Sequence, residues 1–441
     1  MQSAWLRSTH SGMRKPSVLV IAEAANPEWV SVPLVGWSLA SALGSVAETH
    51  LVTQIRNREA ILRAGLVEGR DFTAIDTEPL MRPVWKLASL LRMGKGKGWT
   101  TTTAIAALAY PYFERLVWQR FGAEIQAGRF DIVHRVTPLT PTTVSPLAAR
   151  TTAAGVPFVL GPLNGGVPWP QGFDAARRRE REWLSYVRGA YRLFPGRRRM
   201  FTATAAVLAG SHHTAGEIPA PCADRVVYLP ENAIDPVRFN RLAAQDISGP
   251  LRAVFIGRLV PYKGPDMAIE AAAPLLASGR LHLDMIGDGP MQADLEAQVA
   301  ALGLGGSVRF HGRLDHARVQ DVAAAANLLL FPSIREFGGG VVLEAMSLGV
   351  VPLVVDYAGP GELVTAETGY KVPIGPRAEI VCALRARLEA LAGDPSELPR
   401  LGRAARDRVL SNFTWEAKAH QVGEVYDWVL GRRPDKPAFA F

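Results

Sequence analysis

Asn327-Leu-Leu-Leu-Phe331-Pro332-Ser333-Ile-Arg-Glu336-Phe337-Gly338-Gly339-Gly340-Val-Val-Leu-Glu344-Ala-Met-Ser-Leu-Gly349 is the stretch on which the reading of this chain turns. Its first five residues form a short apolar run, the pattern of a strand buried on both faces. Three glycines then open a helical stretch. Lacking Cβ atoms, they let a ligand approach the backbone closely, and the helix N-terminus favours an anion. Glu336 precedes the glycines and Glu344 sits in the helix. Both carboxylates therefore belong near a crevice at a strand's carboxyl end, where doubly wound sheets bind ligands. Carboxylates accept hydrogen bonds from sugar and ribose hydroxyls in pairs. Taken alone, the stretch fits a plain turn with two solvated glutamates equally well.

Working outward, the same rhythm recurs. Apolar runs lie at Val18–Ala24, His50–Thr53, Asp131–Val136, Val156–Leu160, Ala205–Ala209 and Arg225–Leu229 in the first half. In the second half they lie at Arg252–Gly257, His282–Gly287, Val308–His311 and Val351–Asp356, besides Asn327–Phe331. Helical periodicity fills the gaps in the second half. Met267, Ile269, Ala272 and Leu275 follow Pro265, a residue suited to a first helical turn. Met291–Leu302 and Asp315–Ala326 read the same way. Strands alternating with helices predict α/β architecture with two parallel, doubly wound sheets, one per half. The polar stretch Asp235–Gly249 marks the boundary, and the last strong helix spans Phe413–Leu430.

Bulk properties narrow the class. A chain of 441 residues suits two domains of about 200 residues each. Its two cysteines, Cys222 and Cys382, exclude a disulfide framework and a structural zinc site, which points to a reducing compartment. The N-terminus lacks the apolar core of a signal peptide, and no run approaches the roughly 18–20 apolar residues of a membrane span. The expectation is a cytoplasmic protein. The net charge of +8 is unevenly placed: residues 1–235 hold 27 Lys/Arg against 18 Asp/Glu, and residues 236–441 hold 22 against 23. A basic first half attracts phosphates, anionic lipids or nucleic acid.

Gly257-Arg258-Leu-Val-Pro-Tyr-Lys263-Gly264-Pro265 is the second informative motif. A strand ends at Gly257 and a helix starts at Pro265. Arg258 and Lys263 thus ride on a loop at a strand's carboxyl end, where an Arg and a Lys suit a diphosphate. The spacing is not that of a P-loop.

Together with Gly287-Asp288-Gly289-Pro290, Phe310-His-Gly312 and Pro332-Ser333, these motifs resemble glycosyltransferase family 4, the large retaining group with the GT-B fold. The order GRLxxxKG, GDGP, FxG, PS and Glu-x7-Glu is far more specific than any single member. The resemblance implies two Rossmann-like domains facing across a cleft. Residues 1–235 would bind the acceptor, 236–412 the nucleotide-sugar, and 413–441 would return as a helix to the first domain. It also implies roles. Arg258 and Lys263 hold the donor diphosphate, and Glu336 binds the donor sugar beside the Phe337, Gly338 and Gly339 backbone. Glu344 takes the ribose, and Arg313 lies near the base. One departure stands out: the family reads Glu-Gly-Phe-Gly where this chain has Glu336-Phe337-Gly338-Gly339, which puts the donor's sugar in question.

The first half matches less closely. Gly36 answers to a family glycine that touches donor phosphate, or simply starts a helix. Asn164 stands where many members carry histidine. His134 either faces the cleft on the acceptor side or is a satisfied buried histidine. Pro230-Glu-Asn-Ala-Ile-Asp235 resembles the family's PNGVD hinge strand. Two basic, aromatic stretches, Trp85 to Trp99 (with Lys86, Arg92, Lys95 and Lys97) and Arg177 to Arg199 (with Arg181, Trp183, Val187, Arg188, Tyr191, Arg192 and Arg197), suit an anionic membrane surface or a helix with a solvated basic face.

The function implied is transfer of a sugar from a UDP- or GDP-sugar to a glycan or polyprenyl-linked acceptor, in exopolysaccharide or cell-envelope synthesis. No metal or other cofactor is required on this reading, nucleic acid is not a partner, and the enzyme sits in the cytoplasm, either free or peripherally on the membrane's inner face. A sugar phosphorylase or nucleotide-sugar epimerase on the same fold, and a non-enzymatic basic nucleotide-binding scaffold, are the alternatives.

Overall fold

The computed structural model describes residues 14–79, 99–174 and 196–441, with the backbone alone over 99–108. Among these residues there are two sheets. The first contains β1 (Ser17–Ala22), β2 (Glu48–Gln54), β3 (Phe72–Ile75), β4 (Ile132–Thr137), β5 (Phe158–Leu163), β6 (Ala206–Ala209) and β7 (Val226–Tyr228), in the order β3-β2-β1-β4-β5-β6-β7. The second contains β8 (Leu251–Ile256), β9 (Leu281–Ile286), β10 (Val308–Gly312), β11 (Leu328–Phe331), β12 (Val351–Asp356) and β13 (Tyr370–Pro373), in the order β10-β9-β8-β11-β12-β13. Every pairing is parallel. Central strands β4, β5 and β11 are buried at every residue, which is why their sequences are apolar without alternation. Strand order reverses between β1 and β4 and again between β8 and β11. Those two switch points open the crevices in which such sheets take ligands.

Two strands escape the sequence reading, β3 and β13. Both lie at a sheet edge and are four residues long, and β13 buries only Val372. The helix Trp99–Gln126 is also unanticipated, because a threonine run and Pro111 both disfavour helix. Tyr110, Phe113, Val117, Phe121 and Ile125 form its buried stripe, and packing of that stripe outweighs local propensity.

The chain crosses between the sheets twice, side by side. Ile234 N donates to the Phe413 carbonyl at 2.8 Å, and Trp415 N to the Ile234 carbonyl at 3.3 Å. The helix Trp415–Val429, capped by Thr414 Oγ1 on Ala417 N, then packs Val422, Val425 and Tyr426 into the core of the first sheet.

His134 belongs to this seam and not to the cleft, which corrects its candidacy on the acceptor side. It is fully buried in β4. Nε2 lies 2.6 Å from the Gly161 carbonyl, which can only accept, so Nε2 carries the hydrogen. Nδ1 therefore accepts from the Tyr426 hydroxyl at 2.7 Å. Burial lowers the imidazole to about 4. The unfolded chain, with an ordinary histidine near 6.5, binds more protons between those values, so this contribution is intact above 6.5 and lost as pH falls toward 4. Urea unfolding at pH 7.5 and 4.5 should show wild type losing about 2.5 kcal/mol more than His134→Gln over that interval. Equal losses would mean that His134 is not what ties the returning helix to the sheet.

Candidate functional site

The second switch point is built from backbone. Arg258, exposed, begins the loop after β8, and Pro261–Lys263 forms a single 3-10 turn. Gly264 then adopts the left-handed conformation (φ 70°) that starts the helix Pro265–Ala277. A Cβ there would stand 2.6 Å from the Pro332 carbonyl oxygen, so only glycine lets this loop meet the turn after β11. That turn grips the loop in return: the Tyr262 carbonyl accepts from Ile334 N at 2.9 Å and from Ser333 Oγ at 3.2 Å. The turn after β9 closes the other side. Leu259 N donates to the Asp288 carbonyl (2.8 Å), Met291 N to the Leu259 carbonyl (3.1 Å), and Gly287 N to the Gly312 carbonyl (2.8 Å). The ordered motifs of the sequence are thus one hydrogen-bonded layer.

Lys263 and Glu336, 73 residues apart in sequence, form an ion pair on this layer, with side chains 15% and 19% exposed. The ammonium also lies 5.1 Å from the centre of the Phe331 ring. Burial, reinforced by the Arg258 guanidinium, lowers Lys263 to about 8. A second anion arriving here would meet a cation that its surroundings leave incompletely compensated.

Beside the pair begins the helix Gly340–Ser347, with Gly339 left-handed at its N-cap (φ 61°). The backbone N–H groups of Phe337, Gly338, Gly339 and Gly340 have no protein acceptor among the described residues. Four consecutive free donors at a helix N-terminus are a receptor for an anion or for hydroxyl oxygens. Glu344 lies about one turn into the helix, half-buried. Burial raises its carboxyl to about 7, against the pull of Arg238. Arg313 follows edge strand β10, exposed and two strands from β8, hence roughly 10 Å across the sheet.

A family model described as Glycosyl transferases group 1 matches residues 240–408. Over 314 residues the chain is 30% identical to 2-deoxystreptamine glucosyltransferase of Streptomyces kanamyceticus, covering 68% of this chain and 77% of that one. The chain is a member of glycosyl transferases group 1. This group 1 member is also 34% identical over 200 residues to glycogen synthase of Mycobacterium tuberculosis (strain H37Rv), covering 44% of this chain and 47% of that one, so it spans about half the length of that relative. In structure it is similar to Anabaena HepE solved in complex with UDP and glucose. The TM-score is 0.57 at 16% identity, over 93% of this chain and 99% of that chain, which shows the GT-B fold.

On the first-domain side of this group 1 chain, the candidates named from the sequence have contacts within the protein. Gly36 lies inside the helix Val32–Leu43, where a Cβ would stand 2.1 Å from the Ala24 carbonyl oxygen and 3.0 Å from Thr137 Cγ2. Close packing of this helix on the loop after β1 and on Thr137 of β4 is itself a reason for glycine here. Asn164 is committed within the protein: Nδ2 donates to Glu231 Oε1 at 2.5 Å, and Oδ1 accepts from Gly166 N at 3.1 Å. Glu231 itself was not singled out in the sequence. It is 4% exposed, its Oε2 has no hydrogen-bond partner among the described residues, and burial raises its carboxyl to about 7 against its own N–H and Asn164. Its only sequence signal is an acidic residue within a hinge motif.

The segment after Asn164 also reaches the second domain. Arg335 Nε donates to the Val167 carbonyl at 3.1 Å, and its guanidinium lies 5.1 Å from the Trp169 ring centre. Tyr357 donates to the Pro168 carbonyl at 3.0 Å. Of the basic, aromatic stretches, Trp85 to Lys97 and Arg177 to Arg192 lie outside the described residues. Arg197 is buried, donating to the Glu217 carbonyl at 2.8 Å over the Phe201 ring, so it is not part of a solvated basic face. No helix among the described residues is long and apolar enough to cross a membrane.

Proposed function

We propose that this group 1 member is a retaining glycosyltransferase that moves a sugar from a UDP- or GDP-sugar to a glycan or polyprenyl-linked acceptor. The observation that carries the reading is the Lys263–Glu336 pair set beside four free backbone donors at the second switch point. In the bound state Lys263 exchanges part of its contact with Glu336 for the donor diphosphate. With Arg258 it stabilises the charge that develops as the diphosphate leaves. Glu336, so released, and the Phe337–Gly339 amides hold the sugar, Glu344 holds the ribose, and Arg313 lies toward the base. The acceptor comes from the first-domain side. The leaving diphosphate takes the acceptor's proton on the face it vacates, which yields retention without a protein base. Residues 1–235 and 236–412 serve as acceptor and donor domains, with 413–441 joining them. The HepE complex with UDP and glucose supports a UDP-sugar. The basic first half supports an acceptor linked to a polyprenyl diphosphate at the inner face of the membrane, in cell-envelope or exopolysaccharide synthesis.

Calorimetry with UDP, GDP, ADP and dTDP tests the site. One nucleotide should bind without added metal. Only the charged ammonium holds a diphosphate, and the free-protein value of Lys263 is about 8. Affinity should therefore fall as pH rises above 7, by about tenfold between pH 7 and 9. Lys263→Arg, always charged, should flatten the profile. Failure of all four nucleotides, or a flat profile in wild type, would count against Lys263 as the diphosphate ligand.

A further inference from the structure

The nest of free amides is roofed by groups its own domain does not supply. A Cβ on Gly338 would stand 2.0 Å from Nδ2 of Asn232 and 2.1 Å from Oε1 of Glu231, and one on Gly340 would stand 3.7 Å from Asn232 Cγ. Both side chains rise from the hinge segment between the two sheets, and they occupy the volume that any side chain at position 338 would fill. Where a larger residue at 338 would wall the pocket with carbon, this chain walls it with a carboxyl and an amide.

The two hinge residues differ in freedom. Glu231 is fixed. Oε1 accepts from Asn164, and Oε2 is packed so closely on Gly210 that a Cβ there would be 2.4 Å away. Asn232 is half-buried and makes no side-chain hydrogen bond among the described residues. Its carbonyl oxygen and its amide N–H groups are both unspent. An amide able to accept from one hydroxyl and donate to the next, in contact with a row of free backbone donors, is equipped to recognise a polyhydroxylated group. A group of the wrong configuration would leave it unpaired in a desolvated place.

We propose that Asn232 is a specificity-determining residue that reads the orientation of a hydroxyl on the donor sugar, and that Glu231 is the positioning residue that seats it against Gly338. This rests on the nucleotide-sugar reading above. It adds that the hinge, and not the second domain alone, decides which sugar is accepted.

The test separates the two readings. UDP and GDP are titrated alone first, and then the same base carrying epimeric sugars: UDP-glucose against UDP-galactose, or GDP-mannose against GDP-glucose. Wild type should prefer one epimer by about tenfold or more, since a site built to pair a hydroxyl penalises its misplacement. In Asn232→Ala the preference should collapse to within about threefold, while affinity for the bare diphosphate stays within about twofold of wild type. Glu231→Gln, which keeps shape and hydrogen bonding, should retain the preference, and Glu231→Ala should lose it. A purely structural role for Glu231 would instead shift affinity for all ligands together. Undiminished preference in folded Asn232→Ala, or equal binding of the epimers by wild type, overturns the proposal. Failure of wild type to bind either bare diphosphate overturns the transferase reading beneath it, and is seen before any sugar is added.

Discussion

Lys263→Ala should lower turnover of the wild type's nucleotide-sugar by about 10²–10³ while the protein stays folded. The ammonium is one of two cations on the loop after β8, and the only one in contact with Glu336. In the free protein it faces a carboxylate; on the proposed reading it meets growing negative charge as the diphosphate departs, in a partly desolvated site, where such contacts count most. Removing it deletes that stabilisation. It also frees the Glu336 carboxylate to repel the incoming diphosphate. Glu336→Ala should be similarly impaired through loss of its hold on the sugar. Because the two side chains act as a pair, the double variant should be little worse than either single one. Steady-state release of nucleoside diphosphate measures the rates, and circular dichroism checks the fold. Rates within tenfold of wild type for both single variants would remove the pair from the reaction.

Gly287→Ala should destabilise the second domain by about 3–5 kcal/mol, or displace the Lys263 loop and abolish diphosphate binding. Two effects combine. The residue sits at φ 135°, a conformation that side chains rarely adopt. Its new Cβ would stand 2.0 Å from the Gly257 carbonyl oxygen. That oxygen is backbone at the end of β8, and Gly257 N is itself bonded to the Ile286 carbonyl, so nothing flexible can yield. Gly303→Ala is the control: its φ is 67° but open space surrounds it, so backbone strain of about 1 kcal/mol is all it should cost. Urea unfolding of the two variants separates strain from collision. Equal losses would mean that close approach of the two turns is not what Gly287 serves.

Much of the architecture is legible in the sequence because it is written locally. A strand covered on both faces must be apolar throughout, so β1, β4, β5, β8, β11 and β12 announce themselves, and their alternation with helical periodicity implies parallel sheets. Strands β3 and β13 do not, since an edge strand of four residues needs little apolar sequence. The motifs around the second switch point are legible for a related reason. Gly264, Gly287 and Gly339 meet backbone demands that glycine meets best, and their spacing survives as a pattern in the chain.

Which groups face one another across long sequence separations is a different matter, settled by packing alone. Pairing of Lys263 with Glu336 requires β8 and β11 to lie side by side, which no local signal states. The sequence leaves His134 open between cleft and core; the return of the C-terminal helix, which brings Tyr426 to Nδ1, closes that choice. The sequence leaves Gly36 open between a ligand glycine and a helix start; that the Ala24 carbonyl lies against it shows only in the fold. Glu231 and Asn232 read as hinge until the second domain sets Gly338 upon them. Sequence by itself determined the two sheets and the glycine-bearing motifs of the second one, because burial and backbone geometry constrain neighbouring residues directly. Only the tertiary structure decided the partners of the charged and polar side chains, because burying such a group is tolerable only where the fold, from distant parts of the chain, delivers or withholds its hydrogen-bonding counterpart.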